Sequence, residues 1–127
     1  NIYYDLNKAD IREDAALELD NLLVILNDNP NITVELSSHT DDRSTVDYNQ
    51  DLSQRRAESA VSYIISKGIS ENRMTAKGYG ESQLIIPNAK TEEEHQINRR
   101  TEFKVTSYEF IENSEDANSE EKFFNNN

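Results

Sequence analysis

A chain of 127 residues is long enough for one domain with a buried core, and its longest apolar run, Leu22 to Leu26, is five residues, far short of the ~20 that cross a bilayer as a helix. With 13 Lys and Arg against 25 Asp and Glu the formal charge is −12, which repels phosphate backbones and anionic lipid and argues against nucleic acid or a membrane surface as partner. Cysteine is absent, so disulfides, thiolate metal sites and a cysteine nucleophile are excluded.

The first stretch, Ile2-Tyr3-Tyr4, is β-prone and predicts a short opening strand. Asp10-Ile11-Arg12-Glu13 has the form of a capping box. Behind it Ile11, Ala15, Leu19, Leu22, Leu23 and Leu26 recur at three- and four-residue steps, which predicts a helix to about Asn27 with one apolar face. Asp28-Asn29-Pro30-Asn31 supplies the stop and turn. Ile32-Thr33-Val34-Glu35-Leu36 alternates apolar and polar and predicts a half-buried strand. The polar stretch from Ser37 to Asp51 reads as a loop long enough to be functional.

A second helix is predicted from about Asn49 to Lys67, with Ala57, Ala60, Val61, Ile64 and Ile65 as its stripe and Gly68 at its C-terminal stop. Met74 to Gly78 is a candidate strand broken by Gly78-Tyr79-Gly80, and Leu84-Ile85-Ile86-Pro87 reads as a loop with an apolar plug. Thr91 and Glu94 open a short helix to about Asn98. Thr101, Phe103 and Val105 alternate with charged residues in a last strand to about Tyr108. Residues 1–110 form the expected domain, and 111–127 an acidic tail with too little apolar content to fold. Opening on Asn1, the chain reads as an excised piece of a longer protein. The element order predicts an α/β sandwich, with both main helices on one face of a mixed sheet.

The informative segment runs from His39-Thr40-Asp41 to Arg55-Arg56. Asn49, Leu52, Ser53 and Arg56 fall at i, i+3, i+4 and i+7 and share one helix face. Asn49 and Ser53 sit near the predicted helix start, where the dipole and free N–H groups favour an anion, most simply a carboxylate beside a guanidinium. Asp41 ends a core strand. An Asp and an Arg facing one pocket form a receptor for a zwitterion, the first taking an ammonium and the second a carboxylate. A surface ion pair between Asp41 and Arg56 would contribute only roughly 0–1 kcal/mol, which leaves ligand binding as the favoured reading.

Ser38-His39-Thr40-Asp41, Tyr48-Asn49-Gln50-Asp51-Leu52-Ser53-Gln54-Arg55-Arg56-Ala57, Gly78-Tyr79-Gly80-Glu81 and Asn98-Arg99-Arg100-Thr101-Glu102-Phe103, in that order, resemble the OmpA-like C-terminal domain, which is also the domain of peptidoglycan-associated lipoproteins. Tyr3 to Lys8 resembles the family's opening strand. The resemblance implies non-catalytic binding of peptidoglycan through the diaminopimelate of its stem peptide, anchoring an outer membrane to the wall. It implies Asp41 and Arg56 as principal ligand residues, with Asn49, Leu52, Ser53 and Thr40 in support and Arg99 near the ligand. It also implies a periplasmic location in a diderm bacterium, tethered through a part of the parent protein outside this chain, with other cell-envelope proteins as further partners and no cofactor. Ser38 stands where the family usually has Gly, a change tolerated unless that backbone needs φ > 0. The competing expectation is a protein-interaction module of the envelope whose pocket is vestigial.

Other chemistries fit less well. Asp41, Asp42, Asp47 and Asp51 lack the spacing and central Gly of a calcium loop. Ser37, His39 and Asp41 have no nucleophile elbow or oxyanion loop beside them. Gly78-Tyr79-Gly80 is too short to cradle phosphate. His39 is expected to be packed and hydrogen-bonded at a strand end, and His95 to be solvated on a polar helix.

Overall fold

The computed structural model describes residues 2–3 and 13–111. Its elements are β1 (Ile2–Tyr3), α1 (Glu13–Asp28), β2 (Thr33–His39), α2 (Val46–Ser66), a 3-10 turn (Glu71–Arg73), β3 (Met74–Gly78), α3 (Glu92–Asn98) and β4 (Arg100–Ser107). The four strands lie in the order β1-β4-β2-β3, with β2 parallel to β3 and antiparallel to β4. The expected α/β sandwich on a mixed sheet is what the chain forms. The N-terminal capping box around Asp10 and the acidic tail from Glu112 lie outside the described residues.

The core sits between the two long helices and the sheet. Leu19, Leu22 and Leu26 of α1 and Ala60 and Ile64 of α2 meet Val34 and Leu36 of β2 in one apolar cluster, each fully buried large aliphatic contributing roughly 1.5–3 kcal/mol. Leu23 and Val61 pack half-buried against its edge. The end of α1 is tied to the sheet by the buried Arg73. Its Nε donates to Ile32 O at 3.0 Å, and its Nη2 to Leu26 O at 2.9 Å and Asn29 O at 2.7 Å, so carbonyls freed at the helix end keep a donor.

Two predicted boundaries move. Strand β2 runs on through Ser37, Ser38 and His39, which the sequence places in the loop. The cause is pairing on both sides: Ser38 opposes Gly78 on β3 and Thr101 on β4, and His39 opposes Arg100. Ser38 and Thr101 share a hydroxyl hydrogen bond of 2.6 Å, so polar side chains are satisfied inside the sheet. Ser38 takes the place of Gly without strain, because Asn88 is the one non-glycine residue with positive φ among those described. Helix α2 starts at Val46 rather than Asn49, because Thr45 caps it, its Oγ1 accepting from Tyr48 N at 3.1 Å. The predicted capping box at α3 is formed, with Glu94 N donating to Thr91 Oγ1 at 3.1 Å and Thr91 N to Glu94 Oε1 at 3.2 Å.

Candidate functional site

The carboxyl end of β2, the start of α2 and the junction of α3 with β4 converge. Asp41 follows β2 directly and is 4% exposed. Its Oδ2 accepts from Arg99 Nη1 at 3.0 Å and from Arg43 Nη2 at 2.8 Å and Nε at 3.2 Å, while Oδ1 accepts from the Arg43 main-chain N–H at 3.1 Å. Both guanidiniums also reach Glu92 at the start of α3, Arg43 at 3.2 Å and Arg99 through a direct hydrogen bond from Nη2. Two carboxylates and two guanidiniums thus alternate around one junction. Burial alone pushes the Asp41 carboxyl up, but the bonds from Arg43 and then Arg99 outweigh it and hold the group below its usual value. Asp41 is therefore ionised at neutral pH.

Helix α2 presents Asn49, Leu52, Ser53 and Arg56 inward, and all are buried. The expected shared face is present, but Arg56 is fully enclosed at 0% exposure, whereas the sequence puts it outside the core. Asn49 lies one turn inside the helix, its N–H donating to Thr45 O at 2.9 Å, and it acts through its side chain. Its Nδ2 donates to Asp41 O at 3.2 Å and to Glu81 Oε1 at 2.8 Å, which staples the loop after β2 to α2. The Ser53 hydroxyl donates to Gln50 O and accepts from Gly80 N, both at 2.9 Å, so it is committed to the fold. Leu52 is buried and brings no polar group. Thr40 Oγ1 is buried with no hydrogen-bond partner among the described residues, while its main-chain N–H donates to Gly80 O at 2.9 Å.

The glycines after β3 make this packing possible. A Cβ on Gly78 would meet Gln54 N at 2.4 Å and Ser53 Oγ at 2.5 Å, so only glycine lets α2 lie this close to the strand. Gln50 Nε2 donates to Gly78 O at 2.8 Å and Gly78 N to Gln54 Oε1 at 2.9 Å, clamping the contact. Beside it a cleft of about 450 Å³ is lined by Val46, Gln50, Tyr79, Glu81 and Ser82.

Two histidine expectations are corrected. His39 is packed, its ring stacked on Tyr79 at 5.3 Å, but neither ring nitrogen has a hydrogen-bond partner among the described residues. His95 is buried rather than solvated, with Nδ1 3.9 Å from Asp42, because α3 packs its carboxyl half onto the site. The apolar plug is only partly inserted, with Ile85 48% exposed. Asn98 holds that loop instead, its Oδ1 accepting from Ile85 N at 2.8 Å and Ile86 N at 2.9 Å. Sequence reasoning misses Arg43, Glu81 and Glu92. The Asp-x-Arg spacing after a strand is a signal for the first, and Glu81 closes the Gly-Tyr-Gly-Glu motif; nothing marks Glu92 among so many acids.

The fold and the motifs at this site define a known family of domains. Residues 3–99 match the OmpA family, and the chain belongs to that family, which is known for binding peptidoglycan. It is 35% identical over 105 residues to outer membrane porin F of Pseudomonas fluorescens, covering 83% of this chain and 32% of that one. It is 36% identical over 110 residues to the photosystem I P700 chlorophyll a apoprotein A2 of Gloeobacter violaceus, covering 83% of this chain and 13% of that protein. The chain thus spans a third or less of these relatives. Its fold is that of the peptidoglycan-associated lipoprotein from Burkholderia pseudomallei, with a TM-score of 0.77 at 23% identity, covering 83% of this chain and 88% of the other. Among the described residues no helix is long and apolar enough to cross a membrane.

Proposed function

We propose that this domain holds peptidoglycan without cleaving it, by seating the zwitterionic end of a diaminopimelate side chain between Asp41 and Arg56. The observation that carries the reading is Asp41 itself: a carboxylate at the end of the central strand, enclosed and kept ionised. An isolated buried carboxylate costs several kcal/mol of desolvation; Arg43 and Arg99 offset that cost and keep Asp41 charged, which suits it to take a ligand's ammonium. Arg56, in the same inward row of α2 as Asn49, suits the ligand's carboxylate, because a guanidinium offers two parallel donors. Thr40 Oγ1 adds a hydroxyl in need of a partner. Asn49, Leu52 and Ser53 position the loop and helix, and Arg99 fixes the Asp41 carboxylate. The name of the Burkholderia protein, a peptidoglycan-associated lipoprotein, agrees with the polymer. By this reading the chain works in the periplasm, tethered to the outer membrane through the rest of its parent protein. Many weak domains facing one polymer would grip by avidity.

The test is calorimetry with a synthetic stem peptide containing diaminopimelate. A charge-assisted hydrogen bond contributes roughly 1.5–3 kcal/mol, so Asp41→Asn and Arg56→Lys should each weaken binding about tenfold or more. Full parental affinity in both variants would falsify the zwitterion seat and favour a protein-interaction module.

A further inference from the structure

One oxygen of the Asp41 carboxylate is crowded: Oδ2 accepts from Arg43 Nε and Nη2 and from Arg99 Nη1 at 2.8 to 3.2 Å, more donors than its two lone pairs, while Oδ1 accepts from the Arg43 main-chain N–H at 3.1 Å. The two arginines are not equivalent. Arg99 is sealed, its side chain 2% exposed, and is placed by the α3–β4 junction. Arg43 stands on the loop two residues after Asp41, its side chain 34% exposed, and its other anchor is Glu92, itself 58% exposed. Turning the Arg99 head away from Asp41 would leave a guanidinium buried. Turning the Arg43 head away carries it into water.

We propose that Arg43 is a built-in counter-cation, seated on Asp41 where the ligand's ammonium binds, and that ligand enters by exchanging with it. The proposal rests on the reading of Asp41 given above. Exchange keeps the buried carboxylate paired throughout, because one cation arrives as another leaves. The main-chain N–H of Arg43 keeps its bond to Oδ1, so the loop itself stays in place. The exchange reduces affinity by the fraction of time the seat is open. A ligand whose amine is neutral has no charge to offer Asp41, leaves the guanidinium in its seat and so does not carry the cost of the exchange.

The experiment is calorimetry on the 127-residue chain with two probes: a stem peptide containing diaminopimelate, and the same peptide acetylated on its side-chain amine. Arg43→Ala removes the head; Arg43→Gln keeps a hydrogen-bonding head without the charge. If Arg43 occupies the seat ~90% of the time, both variants should bind the free-amine peptide about tenfold more tightly than the parent. Neither should gain on the acetylated peptide. Arg43 variants that bind the amine peptide no better than the parent, while Asp41→Asn loses binding, overturn the exchange and leave the zwitterion seat standing. An equal gain on both probes also overturns it, because Arg43 would then be a steric obstacle alone. Parental affinity in Asp41→Asn removes the seat itself, and the exchange with it.

Discussion

Arg99 and Asp41 form an ion pair at 3.0 Å in which both side chains are almost closed to water. Residues 58 positions apart are thereby locked, tying the end of β2 to the α3–β4 junction. Removing one member of a buried pair costs about 3 kcal/mol or more, because the other is left charged and enclosed. Arg99→Ala is expected to lower unfolding free energy by about that amount in urea titration. Glu92→Gln takes the charge out of the contacts with both Arg43 and Arg99 Nη2 but leaves an amide oxygen to accept from them at the solvent-exposed side of the network, so it should cost much less. Equal effects of the two substitutions would show that burial does not set the strength of this network.

Gly78 decides how closely α2 approaches the sheet. An added methyl would lie 2.4 Å from Gln54 N and 2.8 Å from Gln54 Cα. Those are main-chain atoms of a helix and cannot rotate away. Gly78→Ala should therefore push α2 outward, at a cost of about 1–3 kcal/mol. Ser53 and Asn49 ride on the same helix, so muropeptide affinity should fall in parallel with stability. Gly68, with φ +103° and open space within 4 Å of where a methyl would stand, fails for a different reason if changed: backbone strain of roughly 1 kcal/mol. Thermal melts of Gly78→Ala and Gly68→Ala, read with binding, separate the two mechanisms, since only the first should disturb the site.

Arg73 holds the end of α1 through Leu26, Asn29 and Ile32 carbonyls, and its guanidinium lies 5.9 Å from the centre of the Phe110 ring. Arg73→Met keeps the apolar stem but leaves those acceptors without their donor. Hydrogen bonds to a charged donor contribute roughly 1.5–3 kcal/mol each where buried, so chemical denaturation should show a loss of at least about 2 kcal/mol. Arg73→Lys should recover only part of it, because a single ammonium cannot reproduce the spread of Nε and Nη2. Site geometry lies at the other end of β2, so ligand affinity of the folded variant should not change.

The long apolar stripes are legible because helix periodicity reports burial directly: Leu19, Leu22, Leu26 and Ile64 lie where their spacing puts them. Ser37 to His39 escape the pattern for the converse reason. Polar residues in a central strand leave no hydrophobic trace, and their burial depends on partners at Gly78, Arg100 and Thr101 that no local pattern announces. Helix α2 begins three residues ahead of Asn49, because Thr45 is already the cap and a lone threonine in a polar stretch does not stand out. At the site, Asp41, Asn49 and Arg99 emerge through motif and helix face. Arg43 does not, because its importance comes from the carboxylate it covers.

His39 provides a pH test of the sheet's outer layer. Burial first, then the nearby Arg100 charge, pushes its imidazole from 6.5 down to about 4, with Lys104 acting the same way and Glu102 and Glu35 opposing. The ring is stacked on Tyr79 and stays neutral in the folded protein over that range. As pH falls below 6.5 the unfolded chain takes up this proton and the folded chain does not, so stability declines until the folded group itself titrates near 4. The size of the loss is at most roughly 3 kcal/mol. Lowered carboxyls at Asp41, Glu35 and Glu102 also lose stabilisation in acid, but they do so mainly below the ordinary carboxylate range. His39→Phe preserves an aromatic partner for Tyr79 and removes the titration. Urea unfolding in steps from about pH 7.5 to about pH 4, spanning the interval between the two imidazole values, should show the parent losing stability through this window while the variant stays nearly flat until the carboxyls protonate. Parallel curves would mean that the His39 ring accepts a proton in the folded sheet as readily as in water, and the enclosure by Tyr79, Arg100 and Glu102 would then have to be looser than its geometry.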